Sequence, residues 1–199
     1  MKVKSLFAAT VLAAAASLPA MAENFSYNYI QVGYATGHLK SSGIKIDASG
    51  IGFSASTAIN ETIYLTGGFA NQELSRGSAT GDVDSYNVGI GARTSLDENT
   101  DLTTALSYVS SKTTVPGVSE TATGYGLDFG LRHKVNDAVE LMAGVGFTSA
   151  GSPNVNTTSI SFGGRYKLEN NISIGAGYTY STNNEIDSNG FVIAARFEF

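Results

Sequence analysis

Phe191-Val192-Ile193-Ala194-Ala195-Arg196-Phe197-Glu198-Phe199 ends the chain, and the reading of this stretch decides the fold. Successive side chains of an extended strand point to opposite sides. Phe191, Ile193, Ala195, Phe197 and Phe199 therefore share one face, and Arg196 and Glu198 share the other. A strand with one wholly apolar face either half-buries it in a soluble antiparallel sheet or lays it against lipid. The rest of the chain has to choose between these.

Met1-Lys2-Val3-Lys4 is a basic start, residues 6–18 are an alanine-rich apolar run, and Ala20-Met21-Ala22 is a small-x-small cleavage site before Glu23. Together these are the parts of a secretory signal. Residues 1–22 are expected to be removed, leaving residues 23–199 as one domain. The apolar run falls short of the roughly 20 residues of a membrane-spanning helix, and no later stretch approaches that length. A membrane protein made from this chain has to be a barrel. The chain has no cysteine, so neither a disulfide framework nor a lipid anchor is available. Loss of residues 1–22 takes Lys2 and Lys4 from the 12 basic residues and none from the 17 acidic ones, leaving 10 against 17, a net charge of −7. That balance argues against nucleic-acid binding. The 23 glycines and 10 tyrosines beside 3 prolines accompany regular aromatic and β-branched alternation, as strands do and low-complexity segments do not.

An internal repeat sets the architecture. Ile59-Asn60-Glu61-Thr62-Ile63-Tyr64-Leu65, Leu96-Asp97-Glu98-Asn99-Thr100-Asp101-Leu102, Val135-Asn136-Asp137-Ala138-Val139-Glu140-Leu141 and Leu168-Glu169-Asn170-Asn171-Ile172-Ser173-Ile174 share one pattern, with first residues 37, 39 and 33 positions apart. Each reads as a tight hairpin turn, in which Asn or Asp side chains bond local backbone. Longer polar stretches, residues 37–45, 71–82, 111–120, 149–156 and 181–189, read as loops at the opposite end. Short turns at one end and long loops at the other are the asymmetry of a transmembrane β-barrel. Four turns and five loops predict ten strands, with eight as the alternative, at 25–36, 46–57, 63–70, 83–94, 102–110, 121–133, 139–148, 157–167, 172–180 and 190–199. The fold class is all-β, an antiparallel up-and-down barrel.

The two faces of these strands differ in chemistry. Ile30, Val32 and Tyr34, Ile51 and Phe53, Tyr86, Val88 and Ile90, and Tyr125, Leu127, Phe129 and Leu131 share faces without a charge. Arg93, Asp101, Asp128, Arg132, Lys134, Glu140, Arg165, Lys167, Arg196 and Glu198 fall on the opposite face among many Gly, Ser and Thr. Arg or Lys facing lipid at the bilayer midplane costs about 2–4 kcal/mol, and several such terms rival a whole domain's stability of roughly 5–15 kcal/mol. The uncharged face is expected outside. Tyr34, Tyr86, Tyr108, Tyr125 and Tyr178 lie toward the loop ends, as an interfacial girdle does.

Inside, Arg93, Arg132 and Arg165 each precede the first apolar residue of a tight turn by three, and Arg196 precedes Phe199 by the same interval. The expected lumen charge layer is Arg93, Arg132, Lys134, Glu140, Arg165, Arg196 and Glu198, with Lys134 directly across from Glu140 as a cross-strand ion pair. Such a layer is either a network of ion pairs that fills a narrow lumen or an anion-attracting constriction. Inward glycines, among them Gly50, Gly52, Gly89, Gly91, Gly124 and Gly126, either leave room for a small pore or let aromatic neighbours lie flat on the sheet. Catalytic candidates are sparse. His38 with Ser41 or Ser42 lacks an acidic orienter, His133 falls on the outward face, and Asp82, Asp84 and Asp187 match no calcium loop. No enzyme activity, metal or cofactor is expected.

The last strand, with Ile193, Ala195, Phe197 and Phe199 on one face, resembles the closing strand of bacterial outer-membrane β-barrels, which the outer-membrane assembly machinery reads. Phe25-Ser26-Tyr27-Asn28-Tyr29-Ile30-Gln31-Val32-Gly33-Tyr34 and Gly67-Gly68-Phe69-Ala70-Asn71-Gln72-Glu73 are similar to segments of a family of small proteobacterial outer-membrane barrels. Some relatives carry the label of quorum-sensing or immunity-eliciting factors. The resemblance implies residence in the bacterial outer membrane, with lipid and the assembly machinery as partners, and carries over no catalytic residue. The chain is expected to be a monomer with a structural or surface-interaction role, or else a narrow porin-like channel for small solutes or ions.

Overall fold

The computed structural model describes residues 25–151, 155–169 and 171–199. The expected signal segment, residues 1–22, lies outside the described residues. Ten strands, β1 (Tyr29–Ser41), β2 (Ile44–Ala58), β3 (Ile63–Arg76), β4 (Ala79–Asp97), β5 (Thr100–Val115), β6 (Val118–Lys134), β7 (Val139–Ala150), β8 (Val155–Lys167), β9 (Ile172–Thr182) and β10 (Asp187–Glu198), close into one barrel. Neighbours in sequence pair antiparallel, and β1 closes on β10 from Tyr29 opposite Glu198 to Lys40 opposite Asp187. Closure removes the exposed sheet edge. Ten strands, not eight, is the count.

The turns repeat one device. Asn60 Oδ1 accepts the backbone N–H groups of Thr62 and Ile63, each at 2.8 Å. Asn136 Oδ1 accepts those of Ala138 and Val139, each at 2.9 Å. At the far end Asn183 Oδ1 accepts Glu185 and Ile186 N–H, each at 2.9 Å, so the same device stands where a loop was expected. A short polar side chain that copies a backbone turn allows such a reversal without an unsatisfied donor.

The long loops are corrected by the structure. Residues 37–45, 71–82 and 111–120 belong largely to strands, joined only by Ser42-Gly43, Gly77-Ser78 and Pro116-Gly117. Positive φ at both Ser42 (49°) and Gly43 (79°) is the signature of a type I′ hairpin, whose twist matches that of the flanking strands.

The reason for the difference is a change of phase. Up to an aromatic girdle the aliphatic side chains of the wall face outward, and beyond it Leu39, Ile46, Leu74 and Val83 face inward. The girdle holds cross-strand pairs Phe69–Tyr86, Tyr108–Tyr125 and Tyr178–Phe191, with ring centroids 5.1, 5.9 and 4.9 Å apart. Below it Val32, Ile51, Val88 and Leu106 are exposed on the outer wall. Above it Lys40, Asp47, Glu73, Asp82 and Lys112 are exposed, while Leu39, Ala48, Leu74, Val83 and Ile186 pack together inside with Ile46 against them. An outer wall that meets lipid must be apolar, and one that meets water frees the apolar residues to build a core.

Candidate functional site

The turn end of the lumen concentrates the charged side chains. Strand alternation sends Arg93, Arg132, Arg165 and Arg196 inward, since their sequence neighbours Leu131, Tyr166 and Phe197 stand exposed outside. Arg132 is 1% exposed and Arg196 2%. A buried guanidinium loses several kcal/mol of hydration, so each needs a partner.

Glu140 supplies two of them. Arg132 binds it in a fork, Nε to Oε1 and Nη2 to Oε2, the second bond at 2.7 Å. Arg165 Nη1 reaches Oε2 at 3.3 Å. Two-point contact of this kind fixes orientation as well as charge. Arg93 Nη1 lies 3.8 Å from Asp101 Oδ2, and Ser95 Oγ donates to Asp101 Oδ1 at 2.8 Å. Arg196 Nε donates to Gln31 Oε1 at 3.0 Å.

Lys134 requires a correction. It stands opposite Glu140 in the strand register as expected, but the ion pairs of Glu140 go to Arg132 and Arg165. Lys134 Nζ instead lies 5.4 Å from the centre of the Phe25 ring. Register sets which backbones are neighbours. The longer, fork-shaped arginine then wins the carboxylate because two parallel N–H groups match its two oxygens. Glu198 is half-buried at the mouth, where a cavity of about 50 Å³ is lined by Phe25, Lys134, Glu140, Arg165 and Glu198.

Four guanidinium groups and Lys134 stand here against the carboxylates of Asp101, Glu140 and Glu198, with Asp128 further along the same lumen, so positive charge exceeds negative by one. Aromatic faces meet that surplus. The Arg196 guanidinium lies 3.5 Å from the Tyr29 ring centre, Arg132 4.7 Å from Phe25 and Arg93 4.9 Å from Tyr27. Such contacts contribute about 0.5–2 kcal/mol each, the upper end when water is excluded. Tyr27 also stacks on Tyr64, centroids 4.7 Å apart and planes 20° from parallel. Tyr64 donates its hydroxyl to Thr104 O at 3.2 Å and lays its ring over Gly91, where any Cβ would overlap it. Of the two readings of the inward glycines, at Gly91 the aromatic seat holds.

The aromatic members of the site were missed in the sequence, although a signal was present. Phe25, Tyr27 and Tyr29 have the parity opposite to Ile30, Val32 and Tyr34, and Tyr64 the parity opposite to Ile63 and Leu65. Parity alone placed them inside. The first strand was expected from residue 25, whereas β1 starts at Tyr29 and residues 25–28 sit at the mouth with Phe25 and Tyr27 buried.

On the outer wall of β10, Ile193, Phe197 and Phe199 are exposed large apolar residues, and Ala195 stands exposed in register with Val32 and Ile174. His38 lies opposite Asp47 and Asn189 in register, and Asp47 pairs with Lys45 at 3.2 Å. Among the described residues no group of three or more His, Asp or Glu side chains is disposed to hold a metal ion.

A closed antiparallel barrel of this kind has counterparts among known proteins. The description "Outer membrane protein beta-barrel domain" matches residues 7–199. The chain belongs to this outer-membrane β-barrel family. Among solved structures it is similar to the translocator domain of the autotransporter NalP from Neisseria meningitidis (TM-score 0.56, 14% identity, 96% of this chain and 93% of that one covered). It is similar as well to Neisserial surface protein A (0.51, 16%, 87% and 98%) and to an outer membrane channel from Pseudomonas putida F1 (0.59, 10%, 92% and 98%). At these identities the likeness is one of fold. No curated protein matches the chain in sequence. The protein is a small barrel of the bacterial outer membrane, and the apolar outer wall is its lipid face.

Proposed function

We propose that this outer-membrane barrel is a non-catalytic structural and surface-interaction protein that acts as a monomer and does not conduct. The observation that carries the reading is the filled lumen. Arg132, Glu140 and Arg165 are locked together across β6, β7 and β8, and Phe25, Tyr27, Tyr29 and Tyr64 are buried at the same end, where a cavity of only about 50 Å³ remains at the mouth. The ordered tip beyond the girdle, with its own apolar core, supports a role as a rigid display surface. Ile193, Ala195, Phe197 and Phe199 are the segment read by the assembly machinery, and lipid is the other partner.

The second reading, a narrow channel for small solutes or ions, is favoured by the positive surplus in the arginine layer. Reconstitution in a planar bilayer separates the two. Silence is the result expected of the structural reading. Stable conductance whose ion preference changes on Arg132→Ala supports the channel.

A further inference from the structure

The lipid face is not evenly convex. Gly164, Ala176 and Ala195 occupy outward positions on β8, β9 and β10, with Gly164 opposite Ala176 in register, and they floor a groove of about 910 Å³ that runs from Val139 on β7 to Ile51 on β2. Tyr166, Ile174, Ile193 and Val32 stand along its sides. The next outward row toward the girdle, Phe162, Tyr178 and Phe191, is aromatic. We propose that this groove is a binding site for one acyl chain of a membrane phospholipid, held with its ester end beside Tyr166. The site rests on the lipid-facing wall alone and stands whether or not the lumen conducts.

Nothing in the sheet requires glycine at the groove floor. Gly164 is not among the glycines with positive φ, and a Cβ added there would meet Glu140 O at 3.5 Å and Leu141 Cδ2 at 3.6 Å, ordinary van der Waals contact. A side chain could start at this position without strain, and on a wall that faces hydrocarbon an apolar one would be as well placed as its neighbours Leu141 and Ile174. The missing side chain leaves room for something else.

The surroundings say what fills it. Below the girdle the wall meets hydrocarbon, so the occupant is apolar. From β7 to β2 there are five strand-to-strand steps, about 24 Å at roughly 4.8 Å a step. Strands of such barrels tilt by roughly 35–45°, so a row that crosses them climbs about 15 Å along the membrane normal, the depth of one leaflet of a roughly 30 Å hydrocarbon core. That is the reach of a single lipid chain. Tyr166 marks the polar end: among the described residues it is the one tyrosine on the outer wall at the turn end, and an amphipathic ring so placed sits at the headgroup boundary. A second copy of the barrel fits less well. Ten outward residues line the groove, against roughly 20–30 a side in a stable protein interface, and a convex wall does not follow a concave floor. In hydrocarbon no hydrophobic gain separates bound from free, so retention comes from packing. A chain in the groove touches protein on its flanks as well as beneath, and such contacts add up.

The test reads the lipid that stays with the barrel. The chain is refolded in phosphatidylcholine vesicles, extracted into mild detergent, washed and weighed by native mass spectrometry. One retained phosphatidylcholine per barrel is expected. Gly164→Leu with Ala176→Leu fills the groove and is expected to lower retention at least roughly tenfold, while Ala92→Leu, on the outer wall of β4, leaves it unchanged. Tyr166→Leu keeps the wall apolar and is expected to lower retention severalfold; unchanged retention there overturns the placing of the ester end. No retained lipid, or equal retention in the filled variant, overturns the site. So does a dimer that the filled variant turns into a monomer, which makes a second copy the occupant. Photolabelling of the unaltered chain decides the matter if the filled variant does not fold. Phosphatidylcholine with a diazirine in its chain is expected to mark β8 to β10 at least roughly tenfold more than β3 to β5, and even marking around the barrel overturns the site. Each of these results leaves the non-conducting reading to the bilayer recording.

Discussion

The two ends of this barrel are filled with opposite chemistry, although the same strands build both. At the turn end β4, β6, β8 and β10 send arginines inward onto carboxylates and aromatic rings. At the tip β1 to β4 send Leu39, Ala48, Leu74 and Val83 inward. The backbone alternation runs through unbroken, and what changes is the medium outside the wall. Where lipid presses on the sheet, charge has nowhere to go but the lumen, and the lumen must then supply partners. Where water surrounds it, an ordinary soluble core forms.

This contrast orders the expected effects of substitution. Glu140→Ala strips two buried arginines of their shared carboxylate and is expected to cost about 3–5 kcal/mol, read as a shift in urea unfolding from lipid vesicles. Leu74→Ala opens a cavity in the tip core and is expected to cost about 2–5 kcal/mol. Its effect should appear as lost amide protection at the β3–β4 tip, with protection at the turn end unchanged. Equal losses at both ends would merge the two regions into one cooperative unit. Leu106→Arg, on the outer wall within the belt, is expected to cost about 2–4 kcal/mol. Thr114→Arg, on the same face of β5 beyond the girdle, should fall within about 0.5 kcal/mol of zero. A similar cost at the two positions would break the comparison.

Smaller effects sharpen it. Gly91→Ala forces a Cβ into the Tyr64 ring and is expected to cost about 1–3 kcal/mol by overpacking, with the tip unaffected. The smallest concerns pH. At the tip, Asp187 accepts Thr182 Oγ1–H at 2.6 Å and Tyr180 O–H at 3.0 Å, and these bonds, Thr182 first, hold its carboxyl below the usual carboxylate range. A depressed folded pKa contributes stability that is present above the unfolded value and lost as pH falls through the folded one. Amides near Ile186 should lose protection below about pH 4, and Asp187→Asn should remove that dependence.

Much of the fold was legible because lipid imposes a rule that the alphabet displays directly. Ten runs of alternation, four copies of one turn and the placement of Arg93, Arg132, Arg165 and Arg196 opposite apolar neighbours point to a closed wall with charge inside. The tip was not legible by the same rule. Leu39, Ile46, Leu74 and Val83 break the phase set by Val32, Ile51, Phe69 and Tyr86, and a run whose phase changes midway reads as a loop when one medium is assumed for the whole strand. The phase reversal was itself the available signal. Within the lumen, inward direction was legible for Arg132, Lys134 and Arg165, but the choice of Glu140 among them was not. Three long side chains start around one carboxylate, only Arg132 and Arg165 reach it, and the outcome depends on fork geometry and on the Phe25 ring beside Lys134. That Phe25 and Tyr27 leave the ladder at Asn28 depends on contacts with residues 57, 58 and 199, far away in sequence.

The reversal of the outward face at the girdle is best tested on one strand. Fluorophores on Leu106→Cys and Lys112→Cys, both on the outer face of β5, can be exposed in vesicles to a lipid-borne and to a water-soluble quencher. Quenching by lipid at Leu106→Cys and by water at Lys112→Cys is the result predicted. Lipid quenching at both positions, or aqueous quenching at Leu106→Cys, would contradict it.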